Sequence, residues 1–208
     1  MQLINVDNIK KNIQKRKKKY AVNFILNNNR YSIESLRGSF CIDIAIISFL
    51  FLKTFVKKIK LNVFFYENSI INSRGNEVPT YIKNKKVIFF DHSYNASPYS
   101  LNKQILIFNQ RNIKQKVYIL GAMKELGAHS DFFHLQIIEL VTNLNLKNVI
   151  FIGKEFYKFK KRSNNFNFYK SYMPVIKYLN KEFDSIKNVF VMGSRSNQLD
   201  RLIKQYVK

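Results

Sequence analysis

Four short apolar runs recur along the second half of this chain: Val87-Ile88-Phe89-Phe90, Val117-Tyr118-Ile119-Leu120, Val149-Ile150-Phe151-Ile152 and Val189-Phe190-Val191-Met192. None alternates with polar residues, so each predicts a strand covered on both faces, as in a parallel sheet. Asp91 follows the first run, and Gly121, Gly153 and Gly193 follow the other three. Glycine at such a point lets the backbone turn sharply and lets a ligand approach it closely. Helical spacing fills the gaps, with Leu101, Ile105 and Phe108, then Phe133, Ile137, Leu140, Val141 and Leu144, then Val175 to Phe183, then Leu199, Leu202, Ile203 and Val207. Ser97 before Pro98, Ser130 before Asp131, and Ser196 predict the helix starts. Strands alternating with helices predict βαβ units, whose right-handed crossovers make the sheet parallel. Residues 86–208 therefore predict an α/β, Rossmann-like domain, a mostly parallel sheet with flanking helices. Phe156 to Tyr172, basic and aromatic, predicts a long surface loop.

Residues 1–85 read differently, as a smaller α+β piece in front of that domain. Lys10-Lys11 and the block Lys15 to Lys19 predict a solvated basic stretch or a surface for an acidic partner. Tyr20 to Leu26 predicts a strand, the asparagines after it a turn, and Tyr31 to Ile33 its hairpin mate. Ser39 to Val56 is apolar but interrupted by Asp43, Ser48 and Lys53. It is short of the roughly 20 apolar residues a membrane span needs, so a buried helix is expected and no membrane span. Leu61 to Tyr66 predicts a short strand or more of the same packing layer.

Composition sharpens this picture in two ways. The single Cys41 excludes an internal disulfide and a cysteine zinc cluster, and with no secretory signal visible a cytoplasmic setting is expected. A net charge of +23 raises a nucleic-acid reading. The same chain, however, is rich in Lys, Asn, Ile, Phe and Tyr and poor in Gly, Pro and Trp, the mark of A/T-rich coding. The charge is accordingly read as a solvated surface rather than a nucleic-acid footprint.

In a sheet of this kind ligands gather beyond the carboxyl ends of the strands. Four loops meet there: Asp91–Ser97, Gly121–Gly127, Gly153–Glu155 and Gly193–Ser196. They collect Asp91, His92, Asn95, Lys124, Glu125, Lys154, Glu155 and Arg195, and Arg74 beside Gly75 lies in a polar segment just upstream. His134 falls on the second helix, where a half-buried structural role and a site role are both open. No HxxxH, HExxH or cysteine cluster supports a metal site, and no G-x-x-x-x-G-K-[ST] phosphate loop is present.

These loops resemble those of the Mur ligase family, in particular its D-alanyl-D-alanine-adding branch. There the first loop reads close to Asp-Asp-Ser-Tyr-Asn-Ala-Asn-Pro, matched here by Asp91-His92-Ser93-Tyr94-Asn95-Ala96-Ser97-Pro98. The second reads Leu-Gly-Asp-Met-Leu-Glu-Leu-Gly with a following His, matched by Leu120-Gly121-Ala122-Met123-Lys124-Glu125-Leu126-Gly127 and His134. The third reads Lys-Gly-Ser-Arg-Ser, matched by Met192-Gly193-Ser194-Arg195-Ser196. Leu36-Arg37-Gly38 and Arg74-Gly75 look like the tail of the family's central domain.

The resemblance implies an ATP- and Mg2+-dependent amide ligase of peptidoglycan precursor synthesis, with UDP-N-acetylmuramoyl-tripeptide and D-alanyl-D-alanine as substrates. It implies nucleotide contacts at Arg74, Asp91 and His92, and substrate contacts at Tyr94, Asn95, Glu125, His134 and Arg195. The departures are His92, Ala122, Ser97 and Met192 where the family carries Asp, Asp, Asn and Lys, and the phosphate loop missing from these 208 residues. The chain is thus expected to be the C-terminal portion of such a ligase, either a gene fragment or one half of a split enzyme that is active only with a partner chain carrying the ATP-binding domain. The alternatives are a degenerate nucleotide- or dipeptide-binding module and a basic nucleic-acid-binding protein.

Overall fold

The computed structural model describes residues 11–16, 19–26, 29–35, 51, 55, 73–163 and 165–207. The chain divides into two compact units, Met1–Ser69 and Ile70–Lys208.

In the first unit, β1 (Lys11–Arg16), β2 (Lys19–Leu26) and β3 (Asn29–Ser35) form an antiparallel sheet in that order. The expected hairpin is present, with Val22 opposite Ile33. Part of the stretch read as a solvated basic block contributes a third strand, Ile13 pairing with Val22. Lysine and arginine stems can lie along a sheet while their charged heads stay in water, so a run of charge does not forbid a strand. The expected helix within 39–56, the strand at 61–66 and the Leu36-Arg37-Gly38 motif lie outside the described residues, apart from Phe51 and Phe55, which are helical and exposed.

The second unit holds β4 (Asn76–Ile82), β5 (Lys85–His92), β6 (Lys116–Gly121), β7 (Val149–Ile152), β8 (Asn167–Tyr169) and β9 (Asn188–Met192). Their order is β4-β5-β9-β6-β7-β8, parallel throughout except for the antiparallel β4–β5 hairpin. All four apolar runs are strands. The boundary expected at residue 85 falls at the start of β5, inside that hairpin, which ties 76–82 to the second unit.

The α-helices described in the second unit are α1 (Pro98–Gln110), α2 (Ser130–Asn143), α3 (Lys154–Tyr157), α4 (Met173–Lys181) and α5 (Leu199–Lys204). Successive strand side chains point to opposite faces, so each run feeds two cores. Phe90, Tyr118, Leu120, Phe151, Phe190 and Met192 pack with α1 and α2 through Leu101, Ile105, Phe108, Ile137 and Val141. Phe89, Val117, Ile119, Ile150, Val189 and Val191 pack with α4 and α5 through Val175, Leu179, Leu199, Leu202 and Ile203. The ring of Phe108 lies 4.9 Å from Phe90, 5.1 Å from Phe190 and 5.3 Å from Tyr118, centroid to centroid. Burial within that cluster pushes the Tyr118 phenol up to about 12.

Helix starts follow the expectation once and depart from it twice. Ser97 caps α1 with a reciprocal bond to Ser100, and Pro98 occupies the first turn. At α2 a 3-10 turn, Gly127–His129, runs directly into the helix, so Ser130 is its first residue rather than its cap. Ser196 lies within another 3-10 turn, Arg195–Asn197, and α5 starts only after Gln198 in the left-handed region, without a side-chain cap. The segment 156–172 is not simply a surface loop, because α3 and β8 lie within or across it and Phe156 and Phe168 are buried.

Candidate functional site

β9 threads between β5 and β6, although those two strands are consecutive parallel members of the sheet in sequence. This brings three carboxyl ends side by side: His92 pairs with Met192, and Met192 with Leu120. Gly121 pairs in turn with Ile152. Polar groups at those ends fall into two clusters.

The first is built on the loop after β5. Asp91 is buried, and its Oδ1 accepts the Ser93 N–H at 2.9 Å, which folds the loop back on itself. The turn before β4 is stitched to it by backbone: the Gly75 N–H donates to the Asp91 carbonyl at 2.6 Å, and the Tyr94 N–H to the Ser73 carbonyl at 3.2 Å. Gly75 suits this approach, having φ of +95° and standing where a Cβ would come within 3.0 Å of His92 Cε1. Arg74 is thereby delivered over the Tyr94 ring, 4.2 Å from its centroid, and Arg195 from the loop after β9 stands 5.8 Å from the same centroid. Half-buried His92 turns toward the sheet, its ring 5.4 Å from Phe190. Asn95 is exposed and its Oδ1 accepts the Ala96 N–H at 2.9 Å.

The second cluster joins the loops after β6, β7 and β9. Gly121 and Gly193 nearly touch, and a Cβ on Gly193 would lie 2.6 Å from the Gly121 Cα. Beyond them the Asn197 Nδ2 donates to the carbonyls of Ala122 at 2.7 Å and Ser194 at 2.9 Å. The Lys124 N–H donates to Ser194 Oγ at 3.0 Å, and the Lys124 ammonium forms an ion pair with Glu155. Partial burial alone would raise the Glu155 carboxyl, but the Lys124 hydrogen bond, the residue's own backbone N–H and the lysine charge outweigh it and hold it below the usual value.

His134 supports this cluster from beneath. It is fully buried; its Nε2 accepts the Met123 N–H at 3.0 Å, and its Nδ1 lies 2.6 Å from the Ser130 carbonyl. The first bond requires an unprotonated Nε2, so Nδ1 carries the proton and donates to Ser130. Burial lowers its pKa, opposed by the backbone bond to Ser130. Glu125, at φ of +63°, is exposed, and no hydrogen bond or ion pair joins it to another described residue.

The predicted residues therefore separate. Arg74, Asp91, His92, Tyr94, Asn95 and Arg195 gather at the β5 and β9 ends; His134 sits below the β6 loop; Glu125 stands apart on it. Sequence reasoning missed Asn197 and Ser194, although an Asn soon after a Gly-Ser turn is the type of side chain that bonds nearby carbonyls. Buried His134 is engaged by the Met123 N–H and the Ser130 carbonyl, with the Ser130 hydroxyl 3.4 Å from its Nδ1, while the His92 ring faces Phe190. Among the described residues no three His, Cys, Asp or Glu side chains gather as a metal cage.

No protein-family model matches the chain. Two curated proteins do, both UDP-N-acetylmuramoyl-tripeptide–D-alanyl-D-alanine ligases. That of Rickettsia prowazekii is 26% identical over 144 residues, which is 68% of this chain and 32% of the relative. That of Buchnera aphidicola is 25% identical over 159 residues, 76% of this chain and 34% of the relative. The chain thus spans about a third of the length of the curated relatives it matches. Among solved structures, MurF from Acinetobacter baumannii superposes with a TM-score of 0.74 at 17% identity, over 95% of this chain and 44% of that one. MurF from Thermotoga maritima in complex with ADP gives 0.69 at 20% identity, over 94% and 44%. The resemblance carried by the three loops thus extends across most of the chain, which is similar in sequence to D-alanyl-D-alanine-adding Mur ligases and shares the fold of MurF structures.

Proposed function

We propose that this chain is the C-terminal portion of an ATP-dependent amide ligase that joins D-alanyl-D-alanine to UDP-N-acetylmuramoyl-tripeptide in the cytoplasm. The observation that carries the reading is the convergence of its three family-like loops. The segments 91–98, 120–127 and 192–196 are far apart in sequence, yet β-sheet order sets their strand ends side by side. In the reaction ATP phosphorylates the terminal carboxylate of the tripeptide, and the dipeptide amine displaces phosphate from the acyl phosphate. The part assigned to this chain is to close over the nucleotide and orient the dipeptide. Asp91 and the turn carrying Arg74 would face the nucleotide, where a cation offsets developing phosphate charge. Tyr94, Asn95 and Arg195 would face the dipeptide, and His134 would act through the Met123 loop that it holds.

The ATP-binding domain, with its phosphate loop and the ligands for Mg2+, would come from outside these 208 residues. A second reading draws on one observation: His92 stands where the family carries Asp, and its ring faces Phe190. A chain so altered would be a non-catalytic nucleotide- or dipeptide-binding module.

Mixing this chain with the remaining domains of the Rickettsia or Buchnera relative, ATP, Mg2+, UDP-N-acetylmuramoyl-tripeptide and D-alanyl-D-alanine separates the two. The ligase reading expects phosphate release that needs every component. Release no greater than from either polypeptide alone, with the intact relative active in parallel, would sink it. In an active mixture, His92→Asp is expected to raise the rate.

A further inference from the structure

Gly121, Gly153 and Gly193 stand at the carboxyl ends of three neighbouring strands, where a glycine lets a ligand come close to the backbone. Here that place is taken by the chain's own Asn197. A Cβ on Gly121 would lie 3.1 Å from Asn197 Nδ2, and one on Gly153 would lie 2.8 Å from Asn197 Oδ1. The buried Asn197 amide spends both Nδ2 hydrogens, one on the Ala122 carbonyl of the β6 loop and one on the Ser194 carbonyl of its own turn. Its backbone N–H also donates to the Ser194 carbonyl, at 2.9 Å. Two more bonds join the same loops: the Ser194 N–H donates to the Ala122 carbonyl at 3.2 Å, and the Lys124 N–H to Ser194 Oγ at 3.0 Å. Arg195 lies between these anchored residues. Its own side chain is exposed, with the guanidinium 5.8 Å from the Tyr94 ring centroid.

We propose that Asn197 is the positioning residue for Arg195. Its amide fills the space between the strand-end glycines and fixes the Arg195 turn against the β6 loop, so these strand ends close on an internal side chain rather than on a ligand. A long exposed side chain costs less to order on binding when its backbone is already fixed. Removing the amide takes a donor from each of two carbonyls that belong to different loops, and the turn loses its tie to Ala122. The role of Arg195 toward the dipeptide rests on the ligase reading; the hold of Asn197 on Arg195 is a property of this chain alone.

The test is nitrogen-15 relaxation of the folded, intact chain as the parent, Asn197→Ala and Asn197→Ser. The parent should show rigid backbone order, about 0.85, at Lys124 and Arg195. Asn197→Ala should bring Arg195 below about 0.6, while Ile119 and Val191 in the strands keep their parent values. Asn197→Ser, whose hydroxyl can donate to one of the two carbonyls, should fall between. A residue that only added stability would leave the order of the folded state unchanged. In an active ligase mixture Asn197→Ala should raise the KM for D-alanyl-D-alanine by roughly tenfold, about the effect of losing one charge-assisted hydrogen bond, and leave the KM for ATP as it was. Adding it to Arg195→Gln should bring no further loss, since both act through one side chain. Three results would overturn the proposal: Arg195 keeping its parent order in Asn197→Ala, the strands loosening as much as Arg195, or the two KM effects multiplying. Should Asn197→Ala fail to fold, Asn197→Ser reads the same order. An inactive mixture would count against the ligase reading alone, because the order at Arg195 is measured on this chain by itself.

Discussion

Replacing His134 with Phe tests the claim that this side chain is a buried tie between α2 and the β6 loop. Phe keeps the ring against Phe156, whose centroid lies 4.5 Å from that of His134. It removes the acceptor for Met123 and the donor for Ser130. A buried N–H left without a partner costs on the order of 1–3 kcal/mol, which is the expected loss of unfolding free energy near neutral pH. The pH dependence is the sharper prediction. Burial lowers the His134 pKa, so the folded state holds the neutral ring while the unfolded chain takes up a proton near the ordinary value of 6.5. Its contribution is fully present above that pH and is lost as pH falls through it toward the folded value. The loss is at most about 1.4 kcal/mol per pH unit for one proton. The groups around the ring pull in both directions, Glu155 and Asp131 favouring the charged form and Lys158 opposing it. Denaturant unfolding of both proteins from pH 8 to 5 should show the gap between them narrowing on the acid side. Amide exchange at Met123 should quicken in the variant. A gap constant across that range would refute the buried neutral state.

Three further outcomes are expected. Gly193→Ala would press a methyl group onto the Gly121 backbone, where a Cβ has only 2.6 Å, and should cost roughly 1–3 kcal/mol in denaturant unfolding. Asn197→Ala strips donors from the Ala122 and Ser194 carbonyls and should cost about 1–3 kcal/mol, with faster amide exchange across residues 194–197. Lys124→Met breaks an ion pair whose partners are 46% and 21% exposed, so less than about 1 kcal/mol is expected. Because the Glu155 carboxyl is held below its usual value, that small contribution is present above the unfolded carboxylate pKa and is lost as pH falls from there through the lower folded value. NMR titration of Glu155 should show its pKa rising in the variant.

The sequence by itself determined the second unit's four central strands, because a strand covered on both faces has no polar positions and its apolar run stands out. It also marked the cap of α1, where Ser97 and Pro98 act within one turn of chain, and the loops in which ligands would be sought. Edge elements were hidden. β4 alternates inward and outward but carries Pro79 in its middle, which argues against a strand in sequence, and β8 is three residues with one buried side chain, Phe168. The starts of α2 and α5 depart from the sequence expectation because Ser130 and Ser196 are engaged by 3-10 turns that no local rule anticipates. The tertiary structure alone decided that β9 enters between β5 and β6. That placement brings Arg195 to the ring that Arg74 already faces, and it sets Asn197 against the Ala122 carbonyl. Local preferences act over a few residues and reveal which segments are strands or loops. Which loops become neighbours depends on which strands pair, and that choice is made by the packing of both cores at once.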